Sequence, residues 1–204
     1  LNMTKHFELD SLGWNSSNYI HVLTEIERRA YADRAEHMGD MDFWKVPLSM
    51  IASETYAEER AKTITMEKAT PSAMVFAGDP LPYESPETTH YSVMDANGNA
   101  VSVTTTINTG FGSGVVVEGA GFFLNNEMDD FSAKPGSPNY FGLVGKESNS
   151  IEPMKRPLSS MTPTILLKDE KPVIVVGSPG GGKIITTVFQ TILNRVVFGM
   201  DIQT

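Results

Sequence analysis

A run of prolines between residues 71 and 87 limits the fold more than any other segment of the sequence. Four prolines fall within these seventeen residues: Pro71, Pro80, Pro82 and Pro86. Proline removes a backbone donor and disfavours helix at the residue before it. We therefore expect an extended, exposed connector that divides the chain of 204 residues. Residues 1–87 have helical patterns, whereas residues 88–204 are rich in strand formers.

The first part is expected to be helical. A helix is predicted over residues 16–38, capped by Ser16 or Ser17 and followed by Gly39 in a left-handed turn. Its apolar stripe has helical spacing: Tyr19, Val22, Leu23, Ile26 and Ala30. The charged residues of the same helix are expected on a solvated face: Glu25, Glu27, Arg28, Arg29, Asp33 and Arg34. A second helix is predicted from a Ser53 cap to about residue 63.

The second part has the pattern of a β-rich domain. Two strands flank the Asn97-Gly98 dipeptide, which favours a hairpin turn. A second hairpin is predicted over residues 162–177, and a helix over residues 184–198. Between the hairpins, residues 125–156 form a long polar segment, and a loop of this length is typical of a functional lid.

Composition excludes several classes of function. The chain has 16 Lys and Arg against 25 Asp and Glu, a net charge of −9, so a nucleic-acid partner is not expected. It has no cysteine, which excludes disulfides, zinc–thiolate sites and thiol nucleophiles. No apolar run is long enough to span a membrane. The four histidines lack metal-ligand spacing, and we expect neither a metal nor a cofactor: His6, His21, His37 and His90.

The glycine-rich segment Gly177–Lys183 fits the spacing of a phosphate-binding loop, G-x-x-x-x-G-K. Ile184 follows, however, where such a loop needs a Ser or Thr hydroxyl to hold Mg²⁺. Nucleotide binding is therefore disfavoured. Two alternatives remain: backbone amides that stabilise a developing oxyanion, or a tight turn between a strand and a helix.

Two polar clusters are candidates for substrate contacts. The carboxylates of Glu127, Asp129 and Asp130 could receive a substrate ammonium or a hard cation, or they could belong to a solvated acidic loop. Ser159 and Ser160 could bind a carboxylate through hydroxyls and amides, or they could form an ordinary turn.

A threonine nucleophile is compatible with the sequence. Without cysteine and without a G-x-S-x-G motif, the remaining nucleophiles are Ser, Thr and Lys. A threonine can use its own α-amine as base if it begins a chain, and that amine has a pKa near ~7.7. The connector ends at Glu87 and a strand starts at Thr88, so cleavage between them would create such a residue.

Four ordered motifs of this sequence resemble those of the γ-glutamyltranspeptidases, which are N-terminal-nucleophile hydrolases. The motifs begin at Thr88 (TTHYSV), Leu124 (LNNEMDDFS), Arg156 (RPLSSM) and Gly177 (GSPGG). The segment Ala30–Arg34 resembles the end of the family's large subunit. The resemblance implies an α+β fold, an αββα sandwich that is incomplete at both ends of this chain.

The resemblance also implies roles for individual residues. The precursor would cut itself between Glu87 and Thr88, leaving residues 1–87 in the large subunit and residues 88–204 in the small one. Thr88 would then attack γ-glutamyl amides such as glutathione. The acyl group would pass to water, to an amino acid or to a peptide. Thr106 would orient the nucleophile, and the amides of Gly180 and Gly181 would form the oxyanion hole. The substrate α-amine would be held by Asn108, Glu127 and Asp130, and its α-carboxylate by Ser159 and Ser160.

Two departures from the family pattern stand out. Phe141 aligns with the family's lid tyrosine and lacks its hydroxyl, which Tyr140 could supply after a shift of one residue. The chain also resembles only part of the precursor, without the family's carboxylate-binding arginine. We therefore expect the isolated 204 residues to be inactive, to need the rest of the precursor as partner, and to self-associate.

Alternative functions stay open at this point. A cephalosporin or glutaryl acylase of the same superfamily would share the nucleophile, and a non-catalytic fragment would retain only the fold. Export to the periplasm or outside the cell is implied by the resemblance alone.

Overall fold

The computed structural model describes residues 1–75 and 88–201. Most of the proline-rich connector, including Glu87, lies outside the described residues.

The three helices predicted from the sequence are present. Ser16 accepts a hydrogen bond from the Tyr19 amide (3.1 Å), and Ser53 accepts one from the Tyr56 amide (3.1 Å), so the caps predicted for the two longer helices of the first part are confirmed. The helices are α1 (Leu9–Leu12), α2 (Ser17–His37), α3 (Leu48–Ile51), α4 (Glu54–Lys62) and α5 (Ile184–Val196). The two short helices, α1 and α3, were not predicted.

The left-handed turn predicted at Gly39 is wrong. Helix α2 ends with Met38 in an extended conformation, and Gly39 is absent from the glycines with positive φ. A glycine is needed there for another reason, because a Cβ would overlap the carbonyl oxygen of Ser148. The backbone after α2 therefore lies directly against the loop that contains Ser148.

Both predicted hairpins are present. Strand β1 (Thr88–Met94) pairs antiparallel with β2 (Ala100–Thr106), and β3 (Thr164–Lys168) pairs antiparallel with β4 (Lys171–Val176). Between β1 and β2, the Asp95 carboxylate accepts the amides of Asn97 and Asn99, each at 2.9 Å. This Asx-type bonding explains why the chain reverses here.

The two hairpins contact each other through one face of β1–β2. Ser92 donates from its hydroxyl to the carbonyl of Val175 (3.0 Å), and Ser102 donates to the carbonyl of Val176 (3.1 Å). His90, on the same face, lies so close to Gly177 that a Cβ there would overlap its ring. The opposite face, with Tyr91, is exposed.

Helix α5 joins the hairpins to α2. Its residues Ile184, Val188 and Ile192 form a buried cluster against Val176 of β4. Its Leu193 belongs to a second cluster with apolar residues of α2: Tyr19, Val22, Leu23 and Ile26. The described residues thus supply one helical layer and two stacked hairpins, which confirms the expected α+β fold.

The expectation of a solvated charged face on α2 is wrong for part of that set. Glu25 is 1% exposed and Arg29 is 3% exposed. Arg29 donates to the Glu25 carboxylate (2.5 Å) and to the Thr63 carbonyl (2.9 Å), and Thr70 donates to the same carboxylate (2.6 Å). The burial is tolerated because these hydrogen bonds satisfy the buried charges. Ala30, which was predicted in the apolar stripe, is exposed, and the buried face of α2 continues instead through Ala32 and Ala35.

The lid-like segment 125–156 contains two single 3₁₀ turns, at Glu127–Asp130 and Glu147–Asn149. An isolated bridge joins Ser132 to Ser150, which folds the segment back on itself. Among the helices of residues 1–75 and 88–201, none has the length and apolar character needed to cross a membrane.

Candidate active site

Residues from four sequence motifs line one cavity. It has a volume of about 30 Å³ and lies where β1, β2, the lid-like segment and the start of α5 meet. Its walls include eight residues singled out in the sequence: Thr88, Thr106, Asn108, Asp130, Phe141, Ser159, Ser160 and Gly181.

Thr88 is the first residue of β1 and lies opposite Thr106 in the register of the first hairpin. Side chains alternate along a strand, so Thr88 shares the face of His90 and Ser92, which points at the second hairpin. Thr106 accepts a hydrogen bond at Oγ1 from the Asn108 amide (2.9 Å). A fixed hydroxyl therefore lies across the hairpin from the candidate nucleophile.

Asn108 adopts a left-handed conformation with φ of 80° and is 5% exposed. Its side-chain amide donates to the Asn126 carbonyl (3.2 Å). Such a conformation costs a non-glycine residue free energy and persists where the surroundings enforce it. The strained residue links the end of β2 to the acidic turn that follows Asn126.

Asp130 is the acidic group of the cavity. Burial raises its pKa to about 6, and the neighbouring carboxylates of Glu127 and Asp129 act in the same direction, while Arg34 opposes them. Burial also raises the pKa of Glu127. The Asp130 carboxylate is thus poorly stabilised without a cation, which makes it a suitable partner for an ammonium group.

Arg34 connects α2 to the serine pair. Its guanidinium donates to the Ser160 hydroxyl oxygen (3.1 Å) and to the Ser159 carbonyl (3.3 Å). Burial lowers its pKa, and Asp130 acts against that shift. Since Ser160 Oγ accepts from Arg34, its proton is free to be donated to an anion in the cavity.

An ion pair holds the segment that leads into the serine pair. Arg156 donates from Nε (2.8 Å) and Nη2 (2.5 Å) to the two carboxylate oxygens of Asp40, which also accepts the Arg156 backbone amide (2.9 Å). These hydrogen bonds hold the pKa of Asp40 well below its usual range. The residues after α2 therefore fix the start of the Arg156–Ser160 segment.

The glycine-rich loop contributes Gly181 to the cavity, and Gly180 precedes it with φ of 129°. Most side chains cannot adopt that backbone conformation, so Gly180 is required by the turn. The loop is tied to α2 because the Tyr31 hydroxyl donates to the Gly182 carbonyl (2.6 Å).

Two adjacent aromatic residues of the lid-like segment have different environments. Phe141 is 8% exposed and lines the cavity, whereas Tyr140 is 48% exposed. The Tyr140 amide donates to the Asp129 carboxylate (2.7 Å), and its ring meets the Phe141 ring edge-on at 5.3 Å. In this conformation the ring at the cavity is the one without a hydroxyl.

Three residues predicted for the site do not line the cavity: Gly180, Glu127 and Tyr140. Glu87 lies outside the described residues. Within residues 1–75 and 88–201 there is no group of three or more His, Asp or Glu that could hold a metal ion. The cavity combines hydroxyls, a carboxylate and glycine amides, a set able to bind an α-amino acid group beside a nucleophile.

Sequence reasoning missed Arg34, Asp40 and Asn149, which hold the segments of the site together. A signal was available for Arg34. It lies four residues after Ala30, where helical spacing would place the next residue of the predicted apolar stripe. Asp40 and Asn149 lie in irregular segments, where periodicity gives no information.

Comparison with known proteins agrees with this geometry. The sequence model of the family described as Gamma-glutamyltranspeptidase matches residues 1–204. The glutathione hydrolase proenzyme of Escherichia coli is 50% identical over 202 residues, which cover 99% of this chain and 35% of that protein. The chain thus spans about a third of the length of this relative.

Solved structures have the same fold. A mutant γ-glutamyltranspeptidase of Helicobacter pylori is 64% identical, with a TM-score of 0.55 over 56% of this chain and 61% of that one. A cephalosporin acylase of Bacillus halodurans is 25% identical, with a TM-score of 0.75 over 98% of this chain and 33% of that one. The fold is that of the N-terminal-nucleophile hydrolases.

Within that class, the sequence decides the family. This chain belongs to the γ-glutamyltranspeptidase family. The acylase alternative corresponds to more distant relatives, such as the acylase ACY 1 proenzyme of a Pseudomonas species, which is 36% identical over 203 residues.

Proposed function

We propose that the chain is part of a precursor that matures into a glutathione hydrolase and γ-glutamyltransferase. The observation that carries this proposal is the single cavity shared by Thr88, Thr106, Asp130, the serine pair and Gly181. Each of these groups has a use in transferring an α-amino acid acyl group.

Maturation would begin with Thr88. Its hydroxyl oxygen attacks the carbonyl carbon of Glu87, the Glu87–Thr88 peptide bond breaks, and an ester forms while the Thr88 nitrogen gains a proton. Water then hydrolyses the ester, which leaves a carboxylate on Glu87 and a free α-amine on Thr88. That amine serves as the base that a threonine nucleophile needs.

The mature site would bind the γ-glutamyl group at both ends of its α-carbon. Asp130, with Asn108 and Glu127 beside it, receives the ammonium, and the hydroxyls of Ser159 and Ser160 receive the carboxylate. Thr88 then attacks the γ-carbonyl while the amides of Gly180 and Gly181 stabilise the oxyanion. The amine leaves with a proton, and water or an acceptor amine releases the acyl group from the ester.

The rest of the precursor is the partner that this fragment is proposed to need. The outward face of the first hairpin exposes apolar side chains by more than half: Tyr91 51%, Val93 55% and Val101 52%. An apolar patch of this kind is usually an interface. The remaining chain would cover it, and export of the mature protein to the periplasm or beyond stays a prediction.

The test uses the complete gene product and γ-glutamyl-p-nitroanilide. We expect rapid release of p-nitroaniline from the parent protein and a loss of at least about 1,000-fold for Thr88→Ala, because the nucleophile is gone. The control is Thr24→Ala, an exposed threonine of α2, which should keep its activity within about twofold.

The same assay distinguishes the acylase alternative. Glutaryl-p-nitroanilide has the carboxylate of the γ-glutamyl substrate and lacks its amine. A hydrolase that uses Asp130 for an ammonium should prefer the γ-glutamyl compound, and a preference for the glutaryl compound would contradict the proposal.

A further inference from the structure

Asn149 connects the two halves of the proposed substrate site. Its side-chain amide donates to the Asp130 carbonyl (2.7 Å), and its side-chain oxygen accepts the Leu158 amide (2.9 Å). The residue is 5% exposed, and its own carbonyl accepts the Ser132 amide (2.8 Å). One buried side chain thus joins the acidic turn to the backbone just before the serine pair.

The space around this bridge is not filled by side-chain packing. A cavity of about 110 Å³ lies between the acidic turn and the serine pair, and Asn149, Asp130, Leu158 and Ser160 line it. Where packing does not fix the distance between two segments, the hydrogen bonds that cross the gap must do so. Arg34 also lines this cavity, but within residues 1–75 and 88–201 its guanidinium donates to Ser159 and Ser160 and not to the acidic turn.

We propose that Asn149 is a positioning residue that sets the separation between the Asp130 carboxylate and the hydroxyls of Ser159 and Ser160. The inference rests on the proposed function, in which these groups bind the ammonium and the carboxylate of one α-carbon. Those two substrate groups are a fixed, short distance apart. Asn149 therefore favours acyl groups that carry both the ammonium and the carboxylate. Its loss should matter little for acyl groups that carry only one of these two groups.

The experiment compares three anilides on the complete, processed protein. The γ-glutamyl anilide carries both groups, glutaryl-p-nitroanilide lacks the amine, and 4-aminobutyryl-p-nitroanilide lacks the carboxylate. For Asn149→Ala we expect kcat/KM to fall about 10- to 100-fold on the γ-glutamyl anilide, mainly through KM. On the other two anilides it should fall less than about threefold, and the rate of cleavage before Thr88 should stay within about twofold of the parent rate.

Two further variants keep the test decisive. Asn149→Asp has nearly the same shape and keeps an acceptor for the Leu158 amide, but its ionised carboxylate cannot donate to the Asp130 carbonyl, so at a pH where it is ionised it should give the same selective loss even if Asn149→Ala fails to fold. Ser148→Ala is the matched control, because Ser148 is 1% exposed and its hydroxyl has no hydrogen-bond partner among the described residues. It should resemble the parent on all three anilides.

Equal losses on the three anilides, or no loss on the γ-glutamyl anilide, would overturn the role of Asn149. Failure of the proposed function has a different signature: the parent protein itself would then not turn over the γ-glutamyl anilide, or Thr88→Ala would still do so.

Discussion

Tyr31 and Gly182 are joined by a hydrogen bond of 2.6 Å from the tyrosine hydroxyl to the glycine carbonyl. The bond ties α2 to the glycine-rich loop. Gly181, the residue before Gly182, lines the candidate active site. Burial raises the pKa of Tyr31, so the hydroxyl stays protonated and able to donate. Helix α2 therefore helps to position the amides proposed for the oxyanion hole.

Replacing Tyr31 by Phe should remove this tie without changing the ring. We expect the free energy of unfolding to fall by about 1 kcal/mol, since a partly buried carbonyl loses its donor. We also expect kcat on γ-glutamyl-p-nitroanilide to fall by up to about 10-fold, because the loop is less well held. Tyr19→Phe, which removes from the same helix a hydroxyl without a hydrogen-bond partner among the described residues, is the control. An unchanged kcat for Tyr31→Phe would show that α2 does not position the loop.

The raised pKa of Asp130 predicts a pH dependence of substrate selection. Below a pKa of about 6 the carboxyl is neutral and does not attract an ammonium, so affinity for the γ-glutamyl group should rise with pH. At pH 5, about a tenth of the carboxyl is ionised. The kcat/KM ratio of the γ-glutamyl anilide to the glutaryl anilide should therefore rise about 10-fold between pH 5 and pH 7.

The effect of the Thr88 amine's titration cancels in this ratio of kcat/KM values, because both anilides need that amine in its neutral form. Asp130→Asn supplies the control, since its ratio should be low and flat over the same range. A ratio that does not change with pH in the parent protein would mean that Asp130 does not bind the substrate amine.

The buried pair of Glu25 and Arg29 predicts a large effect on stability. Arg29→Met leaves the Glu25 carboxylate buried with fewer donors and should lower the free energy of unfolding by about 3–5 kcal/mol. The double variant Glu25→Leu/Arg29→Met removes both charges and should recover at least half of that loss. Denaturant titration of the complete protein measures both. A loss below about 1 kcal/mol for Arg29→Met would contradict the burial of the pair.

Regular elements were predictable because local signals agree with the fold. Ser16 and Ser53 cap the helices that begin beside them, and the Asn97-Gly98 turn lies where the first hairpin reverses. The resemblance added what periodicity could not, namely that Thr88, Asp130 and Ser160, far apart in sequence, share one site. The structure brings these three residues to the same cavity.

Long-range polar contacts were not predictable from local patterns. Arg29 was expected in solvent because arginine usually is, yet its partners Thr63 and Thr70 lie 34 and 41 residues away. Asn149 occupies a loop without periodicity, and its importance depends on two backbone groups, at Asp130 and Leu158. Such positions are set by tertiary structure, which a single sequence does not reveal.

The most direct test of the account is the intact mass of the complete protein after purification. We predict two chains whose junction is the Glu87–Thr88 bond, with the second chain beginning at a free Thr88 amine, and one uncut chain for Thr88→Ala. An active parent protein that stays in one piece, or a Thr88→Ala variant that still separates at this bond, would contradict it.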